Sequence, residues 1–502
     1  MEARGRIPVG PPVNNPTPSY WHAPKSALAN VTLPENKANS LVYDHVIIGS
    51  GISGTAIAFY LLKAKPSARI LMLEAREACG GATGRNGGHT KAASYRTYLQ
   101  HRDELGREEA LKIARLEYAN IVETHRLAKE LGIECESQLC NTVDIVYDQE
   151  TFTDGCAAIE AIKDDAKIEE QQKGGMADYK VYQRGDELCR TFWVDSKNSN
   201  SEVKEEEIVA GAFEYLAGRV SAYRFSTGLL EKCVEKGLHF RTNSPVHKFL
   251  PVAEKNNFRK PLYDVFTQYE TIRTYFVIIA TNGYTPYLLP SLQGVIVPLR
   301  GQITAQKPGN STKLPKVLPT TYSFIYKSGY EYMIPRTLPS GGQHIVIGGG
   351  LGRQLDGGAS EFGTVDDSSL NQQISKYLHG SLVGYFGEKN WGEDGAQEGR
   401  VVHEWTGIMG ATADGQPLVG KIPGEPGVWM SAGFNGHGMV LCLKSAEAVA
   451  KMIVSGNQPE EIDWFPKSFL VSQERLDRCV FQGRKDMKVP ESGETSIAKA
   501  KI

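Results

Sequence analysis

Excess charge of either sign is missing from this chain: 56 Lys and Arg stand against 58 Asp and Glu, a net charge of −2 over 502 residues. That balance gives no electrostatic footing for nucleic acid or an anionic membrane. Long apolar runs are missing too. No stretch approaches the roughly 18 apolar residues that a bilayer span needs, and Met1 to Asn15 holds no apolar core of the secretory-signal type. Cysteine is sparse and scattered, with 8 residues at 79, 135, 140, 156, 189, 233, 442 and 479 and no CxxC pair. This argues for free thiols in a reducing compartment, and against a disulfide framework or a zinc site. No Ser/His/Asp or metal-ligand constellation stands out, so no metal is expected.

What the chain does carry is one ordered stretch near its start. Tyr43-Asp44-His45-Val46-Ile47-Ile48 reads as a buried parallel strand, Gly49-Ser50-Gly51-Ile52-Ser53-Gly54 follows at once, and an apolar helix runs from Thr55 to about Lys65. A second apolar run, Ile70-Leu71-Met72-Leu73, ends on Glu74, 20 residues after Gly54. Each part has a task in a dinucleotide site. Gly49 turns the chain, Gly51 admits a pyrophosphate to the backbone, and Gly54 lets the helix lie against the strand. The helix start offers free N–H groups and the positive end of its dipole to phosphates. Glu74 is placed to accept ribose hydroxyls. A bare GxGxxG is weak; the strand–turn–helix–strand–acid order is what points to an adenine dinucleotide.

The length allows two or three domains. Residues 1–40, with Pro-Thr-Pro-Ser-Tyr-Trp at 16–21, form either a docked arm or a disordered tail, and Tyr20 and Trp21 favour docking. Glycines crowd the run from Gly80 to His89, which is either backbone brought close to a ligand or a mobile loop. Apolar positions 111, 114, 118, 121, 122, 128 and 131 predict a long amphipathic helix stopped at Gly132. Strands are expected at Thr142–Tyr147, from His239 and from Tyr275, and as a pair at Tyr330–Pro335 and His344–Gly348. The polar stretch 148–207 reads as solvated faces. Val428–Ala432 is a strand that runs into Gly433-Phe434-Asn435-Gly436-His437-Gly438-Met439 and a helix to about Ile453.

Six motifs in this order resemble the FAD-dependent D-amino-acid oxidase and sarcosine oxidase superfamily. They are Gly49–Gly54, Ala82–His89, Ala280-Thr281-Asn282-Gly283, Pro298-Leu299-Arg300-Gly301-Gln302, Trp405-Thr406-Gly407 with Asp414-Gly415, and Gly433–Met439. The proline-rich arm ending in Ser19-Tyr20-Trp21 is similar to that of filamentous-fungal members. The resemblance implies an α/β fold with a discontinuous Rossmann-like FAD-binding domain from 41–100, 208–290 and 400–455. Residues 101–207 and 291–399 would form a substrate domain with a mixed or antiparallel sheet, 1–40 the arm and 456–502 a C-terminal extension.

By match of motif, Gly49, Ser50, Gly51, Ile52, Ser53, Gly54, Glu74, Ala75 and Arg76 would hold the adenosine and pyrophosphate. Gly81, Ala82, Thr83, Arg85, Asn86, Gly87, Gly88 and His89 would run beside the isoalloxazine, with Val246 at the adenine. Ala280, Thr281 and Asn282 would close over the diphosphate, and Gly407, Gly436, His437, Gly438 and Met439 would meet the flavin's pyrimidine end. The last contact has its own physical reading, because a helix start there stabilises the negative charge of a reduced flavin. His437 would add a charge or donor, or else be a packed histidine, and His89 has the same two readings.

The chain departs from the family at its substrate anchors. Ile408 and Met409 stand where amino-acid oxidases of the family carry an arginine after the glycine equivalent to Gly407, and Val440 where sarcosine oxidases carry a lysine. No lysine occupies His344–Gly348, and no cysteine near Trp405 offers covalent attachment, so non-covalent FAD is implied. Tyr332 and Arg336 remain as pocket candidates, Arg336 with a surface charge as its alternative. The implied reaction is oxidation of an amine to an imine with O₂ giving H₂O₂. The missing cations suggest a substrate whose carboxylate is absent, masked or remote, such as a secondary or cyclic amine.

Rival readings are an FAD dehydrogenase or oxidative-cyclisation enzyme with another acceptor, a nicotinamide enzyme, and an inactive flavoprotein scaffold. The expected partners are a small amine and O₂, with no nucleic acid or membrane, in a monomer or small homo-oligomer. The cytoplasm is the expected compartment, and Ala500-Lys501-Ile502 supplies a peroxisomal alternative.

Overall fold

The apolar run from Val42 to Ile48 becomes the centre of a sheet buried on both faces. In the computed structural model, which describes residues 1–32, 41–252, 261–392, 399–456 and 462–484, this strand pairs in parallel with Ile70–Leu73 and with Thr271–Ile279. Val428–Ala432 and His239–Arg241 extend the parallel order on the two sides. Leu418–Lys421 adds an antiparallel edge, and the ribbon Val246–Pro251 with Tyr263–Thr267 branches from Thr271–Ile279 to complete eight strands. Alternation assigns the faces. Ile47, Met72 and Ile278 pack among the helices Ile52–Ala64, Arg107–Glu130, Ala222–Glu235 and Gly438–Ser455. Val46, Ile48, Leu71 and Ile279 pack under the ribbon with Val265 and Leu292.

A second sheet of nine strands runs in the order Val401–Thr412, Ile296–Gln306, Gln343–Gly348, Gly329–Thr337, Thr321–Tyr326, Gln138–Val146, Gly211–Arg219, His89–Thr90, with Lys180–Gln183 paired to Gly211–Arg219. Thr321–Tyr326 and Gln138–Val146 are parallel and the other ladders antiparallel, so the sheet is mixed.

The sheets do not follow the expected segment boundaries. Gly211–Arg219 and Val401–Thr412 fall in segments assigned to the dinucleotide domain, yet both are strands of the second sheet. Conversely, the Arg107–Glu130 helix, expected in the substrate domain, joins the helical layer over the first sheet. Its Asn120 side chain donates to Met439 O at 3.0 Å and accepts from Lys444 N at 3.0 Å. Ladder partners distant in sequence decide membership, and motif order does not report them.

The arm docks. Trp21 is buried, Tyr20 stacks on Trp405 with ring centres 5.9 Å apart, and Ser19 Oγ donates to Gly84 O at 2.7 Å. Residues 33–40 and the terminal Ala500-Lys501-Ile502 lie outside the described residues. All eight cysteines are free thiols. No described helix is long and apolar enough to cross a membrane.

One buried carboxyl gives the fold a pH dependence. Glu117, on the Arg107–Glu130 helix, accepts from Ser94 Oγ, and burial pushes its carboxyl up to about 8. The native state keeps this proton while the unfolded chain loses it near the ordinary carboxylate value. Stability from this group is therefore full below about pH 4.5 and declines as pH rises through about 8. Melting temperature against pH should decline less steeply in Glu117→Gln over this window; an unchanged slope would rule out Glu117 as its source.

Candidate functional site

One cavity runs from the carboxyl ends of the first sheet's parallel strands to the face of the second sheet, where open α/β sheets hold ligands. Its first wall is the glycine turn. Gly49 has φ +106, donates its N–H to Leu73 O at 2.8 Å, and carries no Cβ because one would sit 2.6 Å from Ala280 O. A Cβ on Gly54 would lie 2.0 Å from Gly49 O, so its absence lets the helix touch the turn. That helix starts at Ile52, capped by Gly51, earlier than the Thr55 expected, because Ile52 and Ser53 already adopt helical geometry. Ile52 N donates to Thr83 Oγ1 at 3.1 Å, tying the turn to the second glycine run.

Glu74 closes this end. Its Oε2 accepts from Ser50 N at 3.0 Å and Ser50 Oγ at 2.7 Å, and its Oε1 accepts from Arg76 N at 3.0 Å. The Arg76 side chain lines the cavity but is committed to Asp367, with contacts of 3.0 and 3.1 Å, and to Gly80 O. Val246, Ser244, Ala75, Pro11 and Pro12 complete the end.

The second glycine run is ordered. Ala82–Arg85 is a short 3₁₀ turn and His89–Thr90 a strand of the second sheet. Arg85 turns onto the arm, donating to Thr17 O, Gly80 O and Thr406 O; burial holds its guanidinium down to about 10. Gly87 is needed for Tyr332, because a Cβ there would stand 2.5 Å from the Tyr332 ring. His89 Nε2 lies 2.7 Å from Thr321 Oγ1, and burial holds its imidazole well below the ordinary value, so it is neutral and packed. Gly81, Ala82, Thr83, Asn86 and His89 line the cavity; Gly88, with φ +77, packs against Val220 O behind it.

Ala280, Thr281 and Asn282 also line it, but the Asn282 side chain serves the fold, with Oδ1 accepting from Gly433 N at 3.0 Å and Phe434 N at 3.3 Å. Gly407, Ile408, Met409, Gly436, His437, Gly438, Met439 and Val440 form the wall toward the second sheet, with His437 the N-cap of the Gly438–Ser455 helix. Tyr332 lines the cavity, and burial raises its hydroxyl.

Arg336 does not reach the cavity. Its Nε and Nη2 each donate to Glu136 at 2.9 Å, and its guanidinium lies over the rings of Tyr20 and Trp21. It shares the face of Tyr332, but four residues of strand carry it roughly 13 Å further along, where it pins the arm.

Several lining residues were not read from the sequence: Tyr284, Arg96, Tyr330 and Arg484. Tyr284 Oη is buried and without a hydrogen-bond partner among the described residues, near the charges of Asp367, Arg76 and Arg85. A buried hydroxyl lacking a partner is costly, and a ligand phosphate in the cavity would supply one. The glycine turn, the helix start with its free N–H groups and this hydroxyl fit a dinucleotide. Cys442 is the one described cysteine on the wall, and burial pushes its thiol up to about 12, so it is not a thiolate nucleophile at neutral pH.

The fold is shared with solved flavoenzymes. Glycine oxidase from Geobacillus kaustophilus superposes with a TM-score of 0.62 at 19% identity, over 86% of this chain and 98% of that one. L-amino acid deaminase from Proteus vulgaris, with its specific insertion sequence deleted, gives 0.60 at 15% identity, over 89% and 98%. L-proline dehydrogenase from P. horikoshii gives 0.58 at 18% identity, over 85% and 98%. The sequence pattern of one family spans residues 44–452, about four fifths of the chain and all of the motifs above. On that match the chain belongs to the DAO family of FAD-dependent oxidoreductases.

Proposed function

We propose that this enzyme oxidises a C–N bond of an amine-type substrate, with O₂ reoxidising a non-covalently held FAD to give an imine and H₂O₂. The observation that carries the reading is the continuity of the cavity: the glycine turn and Glu74 at one end share it with Tyr330, Tyr332 and Met409 at the other. A cofactor seated on the turn would reach the second sheet with its far end. The superposed structures are named glycine oxidase, L-amino acid deaminase and L-proline dehydrogenase, and the substrate in each name carries an amine nitrogen.

Bound FAD supplies the hydride acceptor. Gly49 to Ser53 would take the pyrophosphate at the helix start, and Glu74 the ribose. Tyr284 would donate to a phosphate oxygen. Gly436 to Met439 would bring the start of the Gly438–Ser455 helix against the flavin, where its dipole holds negative charge. Tyr332 and Met409 would form the wall that orients the amine and keeps water away.

The proposed compartment is the cytoplasm, with the peroxisome as its alternative. Purified protein should be yellow and release its FAD on denaturation. Anaerobic mixing with a panel of amines should bleach the flavin, and admission of air should return the colour with about one H₂O₂ per turnover. Bleaching without peroxide favours the dehydrogenase reading, and no bleaching by any amine rejects both.

A further inference from the structure

The N-terminal arm supplies part of the cavity wall from outside the stretch 44–452 that carries the family pattern, because Pro11 and Pro12 line the cavity. Bonds on both sides hold the two prolines there. Before them, Val9 N donates to Gln293 Oε1 at 3.3 Å, and Gln293 Nε2 donates to Gly5 O and Ile7 O at 2.6 and 2.8 Å. After them, Val13 O accepts from Arg76 Nη1 at 3.3 Å and Thr17 O from Arg85 Nη1 at 2.7 Å. Thr17 Oγ1 accepts from Thr406 N at 3.0 Å, and Thr17 N donates to Asp367 O at 2.7 Å. Arg76 and Arg85 stand in the two loops expected to hold the cofactor, and both guanidinium groups lie against the buried Asp367 carboxylate. The surface that receives the arm is therefore built by those loops.

The prolines sit at the Glu74 end. Arg76, which Val13 meets, donates its N–H to Glu74 Oε1, and Ser244 N donates to Glu74 O at 2.8 Å two residues before Val246. Tyr287 and Leu288 line the same end, with Tyr287 Oη 3.2 Å from Nδ1 of His247, the neighbour of Val246. Pro11 is exposed and Pro12 half-buried, as a roof is when one face meets the cavity and the other meets solvent. Pro11, Pro12, Val246, Tyr287 and Leu288 together make an apolar slot beside the carboxylate. A purine presents two flat faces, and covering both with apolar surface removes them from water.

We propose that the arm is a working part of the cofactor site: Pro11 and Pro12 roof the slot that takes the adenine ring of FAD, so that docking of residues 9–18 and binding of the dinucleotide favour one another. The proposal rests on the reading of this cavity as an FAD site. Linkage makes the effect reciprocal: whatever the docked arm adds to FAD affinity, bound FAD adds to docking of the arm.

The test follows hydrogen exchange of the peptide 9–18 in the apoprotein, alone and with saturating FAD, ADP or riboflavin. FAD and ADP, which carry the adenine, should slow its exchange at least about tenfold, and riboflavin, which does not, should leave it within about twofold. The double variant Pro11→Ala/Pro12→Ala should bind FAD about tenfold more weakly in a fluorescence titration, the scale of a small apolar face returned to water. Its apoprotein should melt as the unaltered chain does, because neither ring belongs to a core cluster. Thr17→Val, which leaves the slot intact and removes the acceptor of Thr406 N, should speed exchange of the arm and weaken FAD by the same factor. Exchange unmoved by FAD and ADP, or FAD affinity unmoved by both variants, overturns the arm's part in the site, while bleaching of the flavin by amines leaves the functional reading standing. A protein that takes up no FAD overturns both.

Discussion

Gly54→Ala is expected to give protein that is purified without its FAD. The added Cβ would stand 2.0 Å from Gly49 O, 3.1 Å from Gly49 C and 3.3 Å from Ile47 Cγ2. Two of these atoms are backbone, so relief requires the turn or the Ile52–Ala64 helix to move. Gly49 is held at φ +106 by its bond to Leu73 O, and a shift of its carbonyl distorts the loop that would take the pyrophosphate. The helix is wedged among Ala222–Glu235 and Gly438–Ser455 in the main core. Overpacking of this kind costs about 1–3 kcal/mol and occasionally more. Because it falls on the phosphate loop, a loss of about two decades in FAD affinity is expected. Gly185→Ala is the control: its Cβ would meet nothing within 4 Å, its φ of 165 is extended backbone that suits any residue, and it lies away from the cavity, so it should bind FAD as the unaltered chain does. The check is the FAD-to-protein ratio after gel filtration and a fluorescence titration of the apoprotein. Full retention by Gly54→Ala would remove the helix–turn contact from the account of the site.

The parts of the fold that were legible in the sequence are those whose physics is local. Val46, Ile47 and Ile48 announce a strand buried on both faces, and the spacing of Gly49, Gly51 and Gly54 encodes a turn in which Gly54 lies against Gly49 O. The apolar spacing from Leu111 to Leu131 likewise specified the Arg107–Glu130 helix and its stop at Gly132, which has φ +63. What was not legible depends on which distant segments meet. Val401–Thr412 is part of the second sheet through its ladder with Ile296–Gln306, a pairing that the Trp405-Thr406-Gly407 motif does not announce. Arg336 looked like a pocket residue because it follows Tyr332, but strand rise carries it past the cavity to Glu136 and the arm. Arg484 had no motif at all. It becomes a site residue because Phe481 finds Phe362 and Gly5, three segments with no sequence relation. The arm shows the same limit: Trp21 hinted that it docks, but not that Pro11 and Pro12 would line the cavity or that Thr17 would accept from Arg85.

Glu74→Ala is expected to weaken FAD binding by about 1.5–3 kcal/mol, one to two decades, through the lost charge-assisted ribose contact. A loss confined to that contact would leave folding nearly untouched. The hydrogen bonds argue otherwise. Glu74 accepts from Ser50 N, Ser50 Oγ and Arg76 N, and Ser50 Oγ in turn accepts from Cys79 N at 2.8 Å. Removing the carboxylate leaves buried donors without an acceptor, each costing about 1–3 kcal/mol, and this loss belongs to the apoprotein as well. Glu74→Gln separates the two effects. Its amide oxygen can still accept from Ser50, so the apoprotein should recover most of its melting temperature, while the missing charge leaves FAD binding impaired. Melting curves of apo and FAD-loaded protein for both variants make the comparison. Wild-type FAD affinity in Glu74→Gln would mean that the carboxylate organises the Ser50 turn and does not hold the ribose by its charge.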